Sequence, residues 1–165
     1  MPENLKDRVA LITGGREGMG RATAEFLAEK LASVVIVSRN EDELKKTAEE
    51  ISRVTKNKNV TAIAGDVSST EDVGRVVETT LKTYGGRIDY LFNFAGYNAN
   101  YGSISPARPS PEQIPNFEKI SNIDLAGTVR MVYYVEPIMR KQNFGAIITI
   151  ASTPVLDIWD RDLLY

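Results

Sequence analysis

The 165-residue sequence contains no cysteine and no histidine. Without cysteine there are no disulfides, thiolate metal sites or thiol nucleophiles. Without histidine there are no histidine-based triads, no imidazole metal ligands and no imidazole base near neutral pH. No metal site is expected, and acid–base chemistry falls to tyrosine, lysine and carboxylates, with a cofactor supplying the reactive atom. An excess of charge of one sign is also lacking: 20 basic residues face 22 acidic ones, a net charge of −2. This balance argues against a nucleic-acid or anionic-membrane partner. No apolar run approaches a membrane span, and MPENLKDR at the N-terminus lacks the apolar core of a signal peptide, so the cytoplasm is the expected compartment. A composition 42% hydrophobic and 25% charged is ordinary for a globular protein, and residues 1–165 are read as one domain.

What the sequence does have is a concentrated glycine turn. Val9 to Ile12 is a short continuous apolar run, as a strand buried on both faces of a parallel sheet requires. Thr13 and then Gly14, Gly18 and Gly20 follow, with Arg16 and Met19 between them. A strand-to-helix turn needs a residue that tolerates positive φ, and a phosphate reaches the backbone only where no Cβ stands in its way. A helix opening near Gly18 presents unpaired N–H groups and the positive end of its dipole, so the stretch predicts a pyrophosphate site. Gly20 is followed by Arg21 and Ala22 rather than by Lys and Ser or Thr, which excludes a P-loop. The spacing Thr-Gly-x-x-x-Gly-x-Gly also differs from the common dinucleotide fingerprint G-x-G-x-x-G.

Downstream, strand-like and helix-like patterns alternate. Met19, Ala22, Phe26 and Leu27 predict the inner face of a helix ending near Lys30. Val34 to Val37 reads as the second strand; Asn40, with Glu43 three residues on, caps a helix whose inner face is Leu44, Ala48 and Ile51. Val60 to Ala64 is the third strand, and Ser69 with Asp72 opens a helix carrying Val73, Val76, Val77, Leu81 and Tyr84 on one face. Ile88 to Phe92 is the fourth strand. The proline-rich residues 97–115 read as a long loop over the ligand side, Asn116 to Gln142 as a long helix kinked at Pro137, and Ala146 to Ala151 as the fifth strand. This order predicts an α/β fold of the Rossmann type, a doubly wound parallel sheet with helices on both faces. Ligands then bind beyond the carboxyl ends of the strands, where strand order reverses. Arg39, ending the second strand, suits a ribose 2′-phosphate, whereas an acidic residue there would bond the free hydroxyls. NADP(H) is therefore favoured; Glu17, an added carboxylate near that phosphate, keeps NAD(H) possible.

The glycine spacing from Thr13 to Gly20 resembles that of the short-chain dehydrogenase/reductase family, and the resemblance runs along the whole chain. Asp66 and Val67 look like the family's pair at the end of the third strand, where the carboxylate meets the adenine ring. Asn93, Ala95 and Gly96 look like its Asn-Asn-Ala-Gly motif, which supports the sheet and borders the cofactor; Phe94 replaces the second Asn. FEKISNIDLAGT, from Phe117 to Thr128, matches the long central helix and puts Asp124 where the catalytic helix Asn stands, with Asn122 pointing elsewhere. Ser152, after ITIA, is similar to the catalytic serine, and Tyr165 lies at the usual distance for the catalytic tyrosine.

The resemblance implies hydride transfer between a nicotinamide cofactor and a small-molecule alcohol or carbonyl. Ser152 would orient the carbonyl, Tyr165 would act as general acid or base, and Asp124 would complete the catalytic set. The resemblance also implies homo-oligomers of the full-length form, built through the long helix and the helix that follows Tyr165. The family's Tyr-x-x-x-Lys motif requires a lysine four positions beyond Tyr165, the last residue, and its fold continues with further strands. The 165-residue chain is accordingly expected to lack the C-terminal strands and to turn over little, since an unassisted phenol titrates near about 10. The competing reading is a non-catalytic dinucleotide-binding or interaction protein derived from the same fold.

Overall fold

The computed structural model describes residues 4–97, 111 and 114–151. Five strands, β1 (Val9–Thr13), β2 (Ser33–Ser38), β3 (Val60–Ala64), β4 (Tyr90–Asn93) and β5 (Ala146–Thr149), form a parallel sheet in the order β3-β2-β1-β4-β5. The helices are α1 (Gly18–Glu29), α2 (Glu41–Thr55), α3 (Thr70–Thr83), α4 (Ile114–Ile120) and α5 (Ala126–Gln142). The chain moves outward from β1 to β3 and then returns to β4 on the other side of β1, so strand order reverses beside the carboxyl end of β1.

The continuous apolar run Val9–Ile12 of β1 follows from burial on both faces, since all five residues of the strand are buried. Side-chain alternation divides them. Ala10 and Ile12 join Ala24 and Leu27 of α1 and Leu44 and Ile51 of α2 in one core layer. Leu11 joins Val73, Val76 and Val77 of α3 and Met131 and Val135 of α5 in the other. The doubly wound sheet expected from the sequence is thus realised, with α1 and α2 on one face and α3 and α5 on the other. Both predicted caps form: Asn40 Oδ1 accepts from the Glu43 N–H at 3.2 Å and Ser69 Oγ from the Asp72 N–H at 3.2 Å, each contributing about 1 kcal/mol.

The inner face of α1 differs from expectation. Met19 and Phe26 are exposed, as is Ala22, and the buried positions are Gly20, Ala24, Leu27 and Ala28. The reason is close approach. A Cβ on Gly20 would lie 2.2 Å from the Gly14 carbonyl oxygen, so the helix starts tight against the sheet and its first inner position has no room for a side chain. The fourth strand is also shorter at its start than predicted, because Ile88 is bonded instead to the Gln142 side chain, which accepts from the Ile88 N–H at 3.0 Å and donates to its carbonyl at 2.9 Å. The fifth strand ends at Thr149 rather than Ala151.

The long helix begins at Ile114, before Pro115, and carries an irregularity that the sequence did not predict. Pro137 sits inside α5 without ending it, and a π-helical turn, Ser121–Leu125, separates α4 from α5. Such turns commonly re-aim a side chain toward a functional region. Most of the predicted 97–115 loop lies outside the described residues.

Candidate functional site

A cleft of about 770 Å³ opens at the carboxyl edge of the sheet, at the reversal of strand order. Its floor is the glycine turn between β1 and α1. Gly14 has φ +67° and a Cβ there would come 2.5 Å from the Phe94 carbonyl oxygen, so this position is closed to any side chain. Gly18, at φ +57°, faces the opposite situation, because a Cβ there would meet nothing within 4 Å. Gly14 and Gly20 are required by the protein's own packing, while the space at Gly18 is left open at the start of α1. Unpaired N–H groups at that helix start and the absence of any Cβ form a cradle that fits a pyrophosphate.

Thr13 sets the distance between this floor and the opposite wall. Its hydroxyl oxygen accepts from the N–H groups of Phe94 and Ala95, both at 3.2 Å, and lies 3.4 Å from the Phe92 carbonyl. The side chain is buried, so the loop after β4 is tied to the glycine turn through one hydroxyl. Thr13 was not singled out in the sequence as a site residue. The only sequence signal was its place at the head of the glycine spacing.

The candidate residues separate into groups. Gly14, Arg16, Gly18, Met19 and Gly20 line one side of the cleft, and Arg39, Asp66, Val67, Ala95 and Gly96 line the remainder. The exposure of Met19 places it on the cleft side of α1. Asn93 is not part of this lining: its carboxamide faces β5, 3.4 Å from Thr149 Oγ1, and its Oδ1 is buried with no hydrogen-bond partner among the described residues. The Asp66 carboxylate is engaged locally, accepting from the Ser68 N–H at 2.8 Å and the Ser68 hydroxyl at 2.7 Å, which shapes the turn leading to α3. Ser152 and Tyr165 lie outside the described residues.

Asp124 sits on the π-helical turn, where its Oδ1 accepts from the Tyr97 N–H at 2.9 Å, and a Cβ on Gly96 would approach its carboxylate at 3.7 Å. Burial pushes the Asp124 carboxyl above its ordinary range, and the Tyr97 N–H offsets this only in part. Asn122 points elsewhere, as expected: its carbonyl and Oδ1 accept from Arg130 at 3.1 and 2.7 Å. The Arg130 guanidinium also lies 3.4 Å from the Val67 carbonyl and 3.3 Å from Thr70 Oγ1, so it fastens α5 to the end of the third strand. Gly127 permits that approach, since a Cβ there would lie 2.7 Å from the Val67 side chain. Arg130 carried no motif and was invisible to sequence reasoning.

At the cleft mouth, Arg16 pairs with Glu17 at 2.6 Å and with Glu43 on α2. These carboxylates hold its guanidinium protonated beyond its already high ordinary value, Glu17 most and then Glu43. Arg39 is exposed at the end of β2 and forms no ion pair among the described residues.

Comparison with known proteins agrees with this geometry. The family model described as short chain dehydrogenase matches residues 8–161. The chain is 35% identical over 158 residues to "Dehydrogenase/reductase SDR family member 4" of Caenorhabditis elegans, covering 92% of this chain and 57% of that protein. Among solved structures, it is similar to levodione reductase, with a TM-score of 0.87 and 30% identity over 98% of this chain and 60% of the other. It is likewise similar to an NAD+-bound xylitol dehydrogenase, with a TM-score of 0.86 and 27% identity over 100% of this chain and 60% of the other. The chain spans between 57% and 65% of the length of the curated relatives it matches. On the glycine turn, the strand order and the family match, the chain belongs to the short-chain dehydrogenase/reductase family.

Proposed function

We propose that the protein is an NAD(P)(H)-dependent oxidoreductase that transfers a hydride between a nicotinamide cofactor and a small-molecule alcohol or carbonyl substrate. The observation that carries this reading is the glycine cradle, free of any Cβ at Gly18, at the start of α1 and beside the reversal of strand order. When bound, the nicotinamide cofactor supplies the hydride chemistry. The chain's own residues bind and position it: Gly18 leaves the pyrophosphate its space in the turn that Gly14 and Gly20 shape, while the loop of Ala95 and Gly96 forms the facing wall. Asp66 and Val67 border the adenosine end. Arg39, exposed at the end of β2, supports a preference for NADP(H), with NAD(H) also accepted.

Ser152 is assigned to orient the substrate carbonyl and Tyr165 to donate a proton to it in reduction or to remove one in oxidation. Asp124, the third residue assigned to the catalytic set, holds the backbone of Tyr97. Residues 1–165 act as one nucleotide-binding domain of a cytoplasmic enzyme. Self-association is assigned to α5, whose exposed face carries Leu125 just before it, Val129 and Tyr133 at helical spacing.

The test is dinucleotide binding followed by oxidation of NADPH and NADH against a panel of aldehydes and ketones, using the full-length protein. Binding and turnover are expected, with Ser152→Ala and Tyr165→Phe each lowering kcat by about 100-fold or more while binding persists. Failure to bind either dinucleotide overturns the reading.

A further inference from the structure

Two arginines and two glutamates stand where the glycine turn meets the start of α2, and the arginines are not equivalent. Arg39 has no carboxylate partner among the described residues, whereas Arg16 engages both terminal nitrogens, Nη2 with Glu17 at 2.6 Å and Nη1 with Glu43. Glu17 is the next residue in the chain and can follow Arg16 through different rotamers. Glu43 belongs to another element and therefore fixes a direction, drawing the guanidinium onto the first turn of α2. The backbone is joined at the same place, because the Thr47 hydroxyl of α2 lies 3.2 Å from the Arg16 carbonyl and 3.0 Å from the Glu43 carbonyl. A guanidinium offers a fixed fork of donors, and one that already faces two carboxylates must give up a partner before it can face a phosphate.

We propose that Glu43 sets the dinucleotide preference by holding Arg16 on α2, so that Arg39 alone meets a ribose 2′-phosphate and the site accepts NAD(H) as well as NADP(H). The proposal rests on the nicotinamide-dinucleotide reading of the cleft. Two arginines facing one phosphate would select strongly for NADP(H); one arginine, with two carboxylates nearby, selects weakly. Glu43 is thus a positioning residue that acts through Arg16. Its backbone N–H remains bonded to the Asn40 cap whatever its side chain, so neutralising it leaves the start of α2 intact.

A double-mutant cycle on the full-length protein tests this, with 2′,5′-ADP and 5′-ADP as probes of the adenosine end and NADP+ and NAD+ as the whole dinucleotides. Glu43→Gln is expected to shift the ratio of dissociation constants toward 2′,5′-ADP by about tenfold. In an Arg16→Gln background the same substitution is expected to shift it by less than about twofold, because no guanidinium is released. An equal shift in both backgrounds would show that Glu43 acts only through its own charge and overturns the proposal, as does no shift in either. If the unaltered protein binds 5′-ADP and NAD+ but Glu43→Gln changes nothing, only the Arg16 clamp fails. If it binds neither NADP+ nor NAD+, the dinucleotide reading fails and the clamp with it.

Discussion

At the amino edge of the sheet a carboxylate is buried and fully engaged; at the carboxyl edge Arg39 is exposed and has no carboxylate partner among the described residues. Asp89, immediately before β4, has a fully buried side chain that accepts from Arg8 Nη1 at 2.9 Å, Arg87 Nε and Nη2 at 2.9 and 2.7 Å, and the Val9 N–H at 2.9 Å. Arg8 in turn lies over the Phe144 ring, 4.0 Å from its centroid. Every donor there serves the fold, joining β1, β4 and the segment before β5. At the other edge, Gly18 leaves a space open and Arg39 has no ion-pair partner among the described residues. Charge alone does not distinguish a site from a brace; the difference is whether the protein has already satisfied the group.

The sharpest way to break this comparison is at Asp89. Burial pushes its carboxyl upward, but Arg87, the Val9 N–H and Arg8 together outweigh that and hold it below its ordinary value. Because the folded-state value is depressed, its contribution is present above the unfolded value of about 3.9 and is lost as pH falls through the folded one. Asp89→Ala leaves the buried Val9 N–H without its acceptor and two part-exposed guanidinium groups without their carboxylate, and is expected to cost about 3 kcal/mol in urea unfolding at pH 7. The deficit should shrink on acidification, and nucleotide affinity of the folded fraction should be unchanged. A deficit independent of pH would refute the ionic account.

Within the glycine turn, two substitutions should separate packing from ligand binding. Gly20→Ala drives a methyl into the Gly14 carbonyl and is expected to cost about 3 kcal/mol of stability. Gly18→Ala meets no neighbour and bears only the backbone penalty of its positive φ, about 1 kcal/mol. Its methyl stands where phosphate would approach, so dinucleotide affinity should fall by roughly tenfold or more, read by calorimetry. Equal stability losses for the two would show that the turn has no ligand-facing side.

Thr13→Val keeps shape but leaves the Phe94 and Ala95 N–H groups without their acceptor. We expect a loss of about 1–3 kcal/mol, together with faster amide exchange at Phe94 and Ala95. Undisturbed exchange would mean that the loop after β4 is held by something other than this hydroxyl.

The smallest effect is expected at Asp124, whose carboxyl is raised by burial. A raised folded-state value favours the fold fully below the unfolded value near about 3.9, and that contribution is lost as pH rises through the folded one. Asp124→Asn keeps an acceptor for the Tyr97 N–H and removes the charge. Its Tm should exceed that of the unaltered protein at pH 7 and converge with it in acid; melts at the two pH values decide the matter.

Much of the architecture was legible in the sequence because it rests on local chemistry. Positive φ favours glycine, short polar side chains at Asn40 and Ser69 cap helices, and a strand buried on both faces reads as a continuous apolar run, as Val9–Ile12 does. These constraints act within a few residues, and together they determined the strand and helix order, the glycine cradle and the placing of Arg39 at a strand end. The inner face of α1 was misread because the limit on side-chain size there comes from the Gly14 carbonyl, which the helix approaches only once it docks. Tertiary structure alone decided that Thr13 ties two loops together, that Arg130 fastens α5 to the third strand, and that Arg16 is claimed by Glu43 while Arg39 is not. Each of these depends on partners between 27 and 82 residues apart in the chain. Side chains at such separations meet only after the sheet has assembled, and no spacing rule along the chain encodes the meeting.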